Sequence, residues 1–471
     1  MLNSNIEFLL NDDLVSVDDL ETNTTVLNYI RNEKNLKGTK EGCASGDCGA
    51  CTAVIGELVK DKLEYKTINT CITFLYNLHG KHLITVENLN KKYIHPVQKS
   101  MIKNDGSQCG FCTPGIVMSM YGMYKNKTKP TNHNIEKSLA GNLCRCTGYK
   151  SIKAAALDMY KGKKINDNNK KNISILKKIS KKDIHINIEN HNFYIHHNLK
   201  GLLKDIAKVK KPIFVAGGTD IALEVTKRNN DLNNIFYLGS NKDLDFIKIK
   251  KNNLHIGSVT PINKILPYLK KFYPSFAKMF LRYGSEQIRN VASIGGNLAS
   301  ASPIGDSSPV LIALETKIII NGKNKREILL KDFFKSYKKT LLKENEIIEE
   351  IIIPIKKKSF LKCYKISKRI EDDISSIFMA ISGSLNNNLF NEIKIVCGGM
   401  AATPSMAIKT QKFLLNKEFN QKNINKAKKI ILSDFHPLSD MRASAKYRSL
   451  ISQNLLDRFY LEKNNKKWSL D

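Results

Sequence analysis

The chain has 471 residues, 42% of them hydrophobic, 8% aromatic and 25% charged. At roughly 100–200 residues per domain this is three or four domains with several cores, which excludes a disordered chain, a collagen-like repeat and a small disulfide scaffold. The net charge is +32, from 76 basic and 44 acidic residues, but the excess is mostly lysine spread along the chain. It lacks the Arg-rich, aromatic-interleaved stripe of a nucleic-acid binder.

In chain order, residues 5–18 predict a β-hairpin, because Ile6, Phe8 and Leu10 alternate before Asn11-Asp12-Asp13, and Val15 and Val17 resume the pattern. A short helix is expected from Thr25, with Leu27 and Ile30 on one face, and short strands near 53–59, 63–69 and 83–87. From about residue 90 the pattern turns helical. Thr113-Pro114 opens one helix, with Ile116, Val117 and Met120 on one side. Two more are expected at 131–140 and 148–160. Residues 161–182 hold nine lysines and one aspartate and predict a solvated linker. The body then alternates: a helix at 198–208, a strand at 213–216, a glycine-rich turn and helix, a strand ending near Val259, long helical stretches, and a second glycine-rich segment at 294–305. After Pro354, strands near 360–366, 377–385 and 392–398 precede helices from 405 to about 432 and from 443 to 462, an α+β unit. No apolar run approaches the ~20 residues of a membrane span. Met1–Glu21 has no basic stretch before a long apolar core, so no secretory leader is expected and the expected location is the cytoplasm.

Eight of the ten cysteines lie between Cys43 and Cys146. In a reducing compartment such clustering points to metal rather than disulfides. Cys43, Cys48 and Cys51 have the spacing C-x4-C-x2-C, with nineteen residues before Cys71, the plant-type pattern for a [2Fe–2S] cluster. Gly42, Gly46 and Gly49 let the loop wrap a cluster and aim amides at its sulfurs. Zinc is the rival metal, and the x4 spacing in a glycine-rich loop disfavours it. The second set, Cys109-x2-Cys112, then 31 residues, then Cys144-x-Cys146, reads on its own as a zinc site or as an iron–sulfur site, each pair lying near a helix start.

Phe214 to Ala222 (FVAGGTDIA) lies at a strand end before a helix, where free backbone N–H groups could meet a pyrophosphate. An ordinary β–α turn fits it equally well. Ile288 to Asp306 is crowded with small residues, as backbone lying against a ligand would be. Cys363 and Cys397 read as buried small hydrophobes. His436 precedes Pro437, matches no ligand spacing and reads as structural.

Together the eight cysteines, with QCGFCTPG at 108–115 and GNLCRCTGY at 141–149, resemble the iron–sulfur region of the molybdenum hydroxylases, the xanthine oxidase family. Both glycine-rich body segments resemble that family's FAD domain, in the same order. The resemblance implies a multidomain α+β chain. Its parts would be a β-grasp [2Fe–2S] ferredoxin domain at 1–88, a four-helix [2Fe–2S] domain at 89–160 and a linker at 161–188. A vanillyl-alcohol-oxidase-type FAD domain at 189–355 and a C-terminal α+β domain of the CO-dehydrogenase-flavoprotein type at 356–471 would follow. Carried over residue by residue, Val215, Ala216, Gly217, Gly218, Thr219, Asp220, Ile221 and Ala222 would form the pyrophosphate turn. Tyr283 would lie near the adenine, and Ser293, Asn297 and Asp306 would contact FAD. Ile348 would be an apolar neighbour of the flavin and Lys365 its catalytic lysine, followed by an acidic loop with a one-residue gap. From the residues alone, Lys365 also reads as a solvated strand-end lysine.

The set of parts resembles the small subunit of bacterial xanthine dehydrogenases, with no molybdopterin domain before Asp471. That implies a relay. A molybdopterin-binding large subunit would oxidise hypoxanthine or xanthine to urate. Electrons would pass through the Cys109/Cys112/Cys144/Cys146 cluster, then the Cys43/Cys48/Cys51/Cys71 cluster, to FAD and NAD⁺. A heterotetramer of two small and two large subunits is implied, with no nucleic-acid or membrane partner. A subunit serving an aldehyde or another N-heterocycle would share every motif, and a zinc-containing nucleic-acid binder is the distant alternative.

Overall fold

The computed structural model describes residues 5–464 apart from 20, 91–92, 162–164, 166–168, 180–181 and 189–190. Chain contacts divide it into two units, Met1–Asp243 with Gly284–Ser293, and Leu244–Tyr283 with Ile294–Asp471.

The first unit opens on the hairpin of strands Ile6–Leu10 and Asp13–Val17, which turns at Asn11 in a left-handed conformation (φ 59°). Ile6, Phe8 and Leu10 are buried, as their alternation requires. Strand His82–Ile84 runs parallel to Ile6–Leu10, and Thr52–Val59 and Lys62–Asn69 complete a mixed five-stranded sheet. The Thr25 side chain caps the short helix Val26–Asn28, which packs Val26 and Leu27 onto this sheet. Four helices follow: Pro96–Lys103, Thr113–Lys125, Asn132–Leu139 and Lys150–Asp158. They share a core of Met101, Ile116, Met120, Ile135, Ile152 and Ala155.

The lysine-rich stretch is not simply a solvated linker. Helix Lys170–Ile179 forms within it, and Asn172, Leu176 and Ile179 are buried. These lie four and three residues apart, on one helical face, while the lysines point outward. Strand Ile184–Ile188, also within the expected linker, pairs with His191–Ile195. The latter runs parallel to Ile235–Tyr237, which runs parallel to Ile213–Val215. Helix Leu199–Ile206 makes the crossover that parallel pairing needs.

The second unit holds a five-stranded antiparallel sheet in the order Ile247–Lys250, Asn253–Gly257, Ile347–Pro354, Lys317–Asn321 and Arg326–Leu329. Sequence patterning placed no strand between 306 and 354. The central strand, IIEEIIIP, is an apolar run with little alternation, because residues on both its faces are buried. A second antiparallel sheet comprises Phe360–Ile366, Ile377–Asn386, Leu389–Gly398 and Ser405–Met406. Helices Ile408–Leu414, Gln421–Ile430 and Ala445–Asn464 share its core through Met379, Ile395, Ile424, Leu455 and Phe459. Residues 405–406, expected to be helical, pair with Val396–Cys397 instead. Among the described residues no helix is long and apolar enough to cross a membrane.

Candidate cofactor sites

The loop between Lys40 and Thr52 has no regular secondary structure and carries three of the first four cysteines. Gly46 and Gly49 both have positive φ (81° and 69°), which a side chain would disfavour. That wrapping turns amides inward: the N–H groups of Ser45, Asp47 and Cys48 lie 3.4, 3.3 and 3.4 Å from Cys43 Sγ. Cys71, on a single 3₁₀ turn after strand Lys62–Asn69, brings its Sγ to 3.2 Å from Cys51 Sγ. Among the described residues no three His, Cys, Asp or Glu side chains close around one metal ion. The thiols stand in linked pairs instead, Cys43 with Cys48 and Cys51 with Cys71, with a further contact between Cys43 and Cys71. Two pairs in contact match a two-iron cluster, which needs two protein sulfurs on each iron. Hydrogen bonds from Cys48 and Cys71 hold the Cys43 thiol well below its ordinary range, and the same bonds push Cys48 and Cys71 up. In each pair one thiol is lowered, Cys43 and Cys51, and its partner is raised, so the sulfurs share protons that a cationic cluster would displace.

The second set is also paired, Cys109 with Cys146 and Cys112 with Cys144. Cys112 precedes helix Thr113–Lys125, and Gly110 (φ 84°) and Gly148 (φ 61°) turn the chain beside each pair. Burial and the neighbouring Cys144 push the Cys112 thiol up to about 12. Burial is the largest single influence on Cys144 and opposes its ionisation, but hydrogen bonds from the Thr147 hydroxyl (3.2 Å), the Thr147 and Cys146 backbone and Cys112 together lower that thiol. Cys109 and Cys146 are exposed, and so are the apolar side chains of Phe111 and Leu143 beside them.

The residues expected at FAD fall in both units. In the first, Val215 ends strand Ile213–Val215, and helix Ala222–Thr226 begins seven residues later. Among the described residues, the amides of Gly217, Gly218, Thr219 and Asp220 donate to no other group of the chain. Gly218 has φ 79°, and a Cβ on Gly217 would lie 2.1 Å from the Val291 carbonyl oxygen. Ala216, Thr219 and Ile221 are half-buried and Asp220 is exposed, while Ser293 is buried two residues beyond Val291.

In the second unit, Asn297 donates to the Tyr283 hydroxyl (2.8 Å) and accepts from Ser307. Asp306 and Lys365 form a buried ion pair at 2.6 Å, their side chains 5% and 3% exposed. Ser375 donates to the other Asp306 oxygen (2.6 Å) and accepts from Lys365 (3.1 Å). Lys365 is therefore not a solvated strand-end lysine. Ile348 is buried in the other sheet of this unit, opposite Ile320. Cys397 is fully buried, as read from the sequence, whereas Cys363 is half-buried; desolvation of its thiol still pushes it up to about 12.

The chain matches four families in order: a "2Fe-2S iron-sulfur cluster binding domain" over residues 9–76 and a "[2Fe-2S] binding domain" over 85–157, then an "FAD binding domain in molybdopterin dehydrogenase" over 186–356 and a "CO dehydrogenase flavoprotein C-terminal domain" over 362–463. The chain carries the iron–sulfur and FAD domains of the molybdenum hydroxylase family. It is 33% identical over 479 residues to a xanthine dehydrogenase of Emericella nidulans, covering 88% of this chain and 35% of the relative. It is 29% identical over 513 residues to a xanthine dehydrogenase/oxidase of Mus musculus, covering 96% of this chain and 38% of the relative. The chain thus spans little more than a third of these relatives' length. Among solved structures, a Cu,Mo-CO dehydrogenase chain superposes with a TM-score of 0.54 at 20% identity, over 56% of this chain and 94% of that one. Quinoline 2-oxidoreductase from Pseudomonas putida 86 gives a TM-score of 0.54 at 19% identity, over 59% and 98%. At these identities the likeness is one of fold.

The two matched [2Fe-2S] binding domains and the two sets of paired thiols agree in number and place. Three polar residues around the expected sites were not singled out from the sequence. Ser375 joins the Lys365 cluster because Ile366 and Ile377 pair across antiparallel strands. Ser307 reaches Asn297 through the turn before helix Ser307–Ala313. Arg282 donates to the Lys365 carbonyl (3.1 Å) and the Ser367 hydroxyl (3.1 Å). Pairing of the neighbouring strands Phe360–Ile366 and Ile377–Asn386 carries the first of these beside Lys365, and Asp306 joins them from 59 residues before Lys365.

Proposed function

We propose that this chain is the iron–sulfur and flavin component of a xanthine dehydrogenase-type molybdenum hydroxylase, working with a molybdopterin-binding large subunit and with NAD⁺ as acceptor. One observation carries the reading: two sets of paired thiols stand ahead of the FAD-domain motifs in one chain, in the family's order. Cys43, Cys48, Cys51 and Cys71 would hold one [2Fe–2S] cluster, and Cys109, Cys112, Cys144 and Cys146 the other. Val215 to Ala222, Ser293, Tyr283, Asn297, Asp306, Ile348 and Lys365 would hold FAD. When bound, these groups supply single-electron transfer and a junction to two-electron hydride chemistry, so electrons from the partner's molybdenum would leave on NAD⁺.

The chain's own residues bind, orient and screen. The glycine turns in the Cys43–Cys51 loop aim amides at sulfur, which favours the anionic ligand. The unpaired amides of Gly217 to Asp220 suit a pyrophosphate. The Asp306 carboxylate fixes the Lys365 ammonium in a site from which water is largely excluded. Exposed Phe111 and Leu143, beside Cys109 and Cys146, form the apolar surface proposed to dock the large subunit, in a cytoplasmic assembly of two small and two large chains. The domain limits given from the sequence are kept as part of this proposal, except that strand Ile184–Ile188 goes with the FAD domain and not with the linker.

The test is reconstitution. The purified chain should hold four irons and one FAD and reduce an artificial acceptor with NADH, and it should turn over xanthine only once the large subunit is added. Stoichiometric zinc, or a flavin-loaded chain inert to NADH, would refute the reading. An assembled enzyme active on an aldehyde or another heterocycle but not on xanthine would replace the substrate and leave the relay.

A further inference from the structure

A buried polar node ties together the two cysteine loops of the first unit. The Asn142 amide nitrogen donates to the Gly49 carbonyl (3.0 Å) and lies 3.2 Å from the Thr52 hydroxyl. Its amide oxygen accepts from the Ser119 hydroxyl (2.6 Å) and from Gln287 Nε2 (3.0 Å). Gln287 Nε2 also lies 3.3 Å from the Thr52 hydroxyl and 3.2 Å from the Ser119 hydroxyl. All four side chains are at least 98% buried. Gly49 lies between Cys48 and Cys51, and Asn142 is two residues before Cys144. One residue on, the Leu143 amide donates to the Cys48 carbonyl at 2.9 Å. A continuous hydrogen-bonded link thus runs from a ligand candidate of one set to the neighbour of a ligand candidate of the other.

Gln287 belongs to neither cysteine domain. It sits on the one-turn helix Glu286–Arg289, within the short segment Gly284–Ser293 that belongs to the first unit. That segment touches every part of the relay in this unit. A Cβ on Gly141 would lie 2.3 Å from the Ser285 Cβ, and one on Gly46 would lie 3.3 Å from Ile288 Cδ1. Val291 lies against Gly217 of the proposed pyrophosphate turn. Packing this close leaves no room for slippage, and a buried amide facing three oxygens is stable only while all of them stay in place.

We infer that Gln287 is a positioning residue of the relay: its buried amide locks the Cys43–Cys51 loop to the Cys144–Cys146 loop and so sets the separation of the two metal sites. The inference rests on the proposed two-cluster reading. Gln287 touches no cysteine sulfur among the contacts described, so its effect must pass through Asn142, Ser119 and Thr52. Removing the amide leaves the Asn142 oxygen with one donor fewer and loosens the link, which then rests on the direct Asn142–Gly49 and Leu143–Cys48 bonds.

The experiment compares the full chain with Gln287→Met, which keeps length and apolar bulk but removes the donor, and with Ser119→Ala as a milder cut in the same node. Dithionite-reduced samples are read by low-temperature electron paramagnetic resonance for magnetic interaction between the two reduced clusters, which falls as the inverse cube of their separation. Amide exchange at Leu143 is read by mass spectrometry. The expected result is four irons retained, a weakened or lost intercluster splitting, and about tenfold faster exchange at Leu143, the size expected for one lost buried hydrogen bond. If Gln287→Met loses iron, Ser119→Ala decides by the same two readouts. Unchanged splitting and exchange in an iron-replete variant would overturn the inference. Absence of two reduced-cluster signals in the unaltered chain would instead overturn the two-cluster reading.

Discussion

Asp306→Ala cuts one partner from the buried ion pair. In the intact protein Lys365 Nζ has Asp306 Oδ2 at 2.6 Å and Ser375 Oγ at 3.1 Å, and Ser375 donates to Asp306 Oδ1 at 2.6 Å. The substitution leaves an ammonium with a 3% exposed side chain holding one neutral partner, and a hydroxyl with no acceptor in that cluster. Stranding a buried charge in this way costs about 3–5 kcal/mol. At roughly 2–4 °C per kcal/mol for a unit of this size, the second unit should melt about 6–20 °C lower. Calorimetry on flavin-stripped protein reads this without the stabilisation that bound ligand adds. Flavin content, measured separately after reconstitution, should fall while iron content stays at the unaltered level. The pair Asp306→Asn with Lys365→Met removes both charges, so it should be less destabilised than the sum of the single variants. A melting point within 2 °C of the unaltered chain would show that Lys365 is not desolvated, and would remove the pair from the FAD proposal.

Gly217→Ala places a Cβ 2.1 Å from the Val291 carbonyl oxygen. Neither backbone can yield locally, so FAD retention should drop sharply while both clusters persist, checked by flavin and iron analysis. Cys48→Ser should leave about half the iron, and equal loss from both sites would argue against two independent thiol sets. His79 is buried and its Nδ1 accepts from the Glu7 amide at 3.1 Å, which requires the neutral ring. Burial, reinforced by His197 and Lys182, lowers its pKa from 6.5 to about 3. The unfolded chain therefore binds this proton more readily: the stability is present above pH 6.5 and drains away as pH falls toward 3. Between pH 7 and 5 the unaltered chain should lose about 2 kcal/mol more than His79→Gln, read by urea unfolding at each pH. Equal slopes would refute the assignment.

The hairpin at residues 6–17 and the helix from Thr113 could be read from local pattern because their signals are local, alternation around Asn11-Asp12 in one and proline in the first turn of the other. Both cysteine loops announced themselves by spacing. The strands Ile184–Ile188 and Lys317–Asn321 were hidden. The first follows a lysine-rich stretch whose helix buries only one face, and the second is an apolar run that pairs on both sides with partners elsewhere in the chain. Lys365 was ambiguous for a similar reason, since a lysine near a strand end is usually solvated and only its neighbours show that this one is not.

The sequence alone determined which atoms could do the chemistry: eight thiols on two glycine-punctuated motifs and a glycine pair after a short strand. Most of these signals sit in short runs of consecutive residues, such as Cys43–Cys51 and Cys109–Cys112, where backbone sterics decide them locally. Which groups meet was decided by the tertiary structure. Cys51 finds Cys71 across 20 residues, Lys365 finds Asp306 across 59, and Gln287 reaches Thr52 across 235. Such partners are chosen because a polar group carried into the interior by strand and helix packing must find another there or forfeit its solvation. No run of neighbouring residues records where that other group will be.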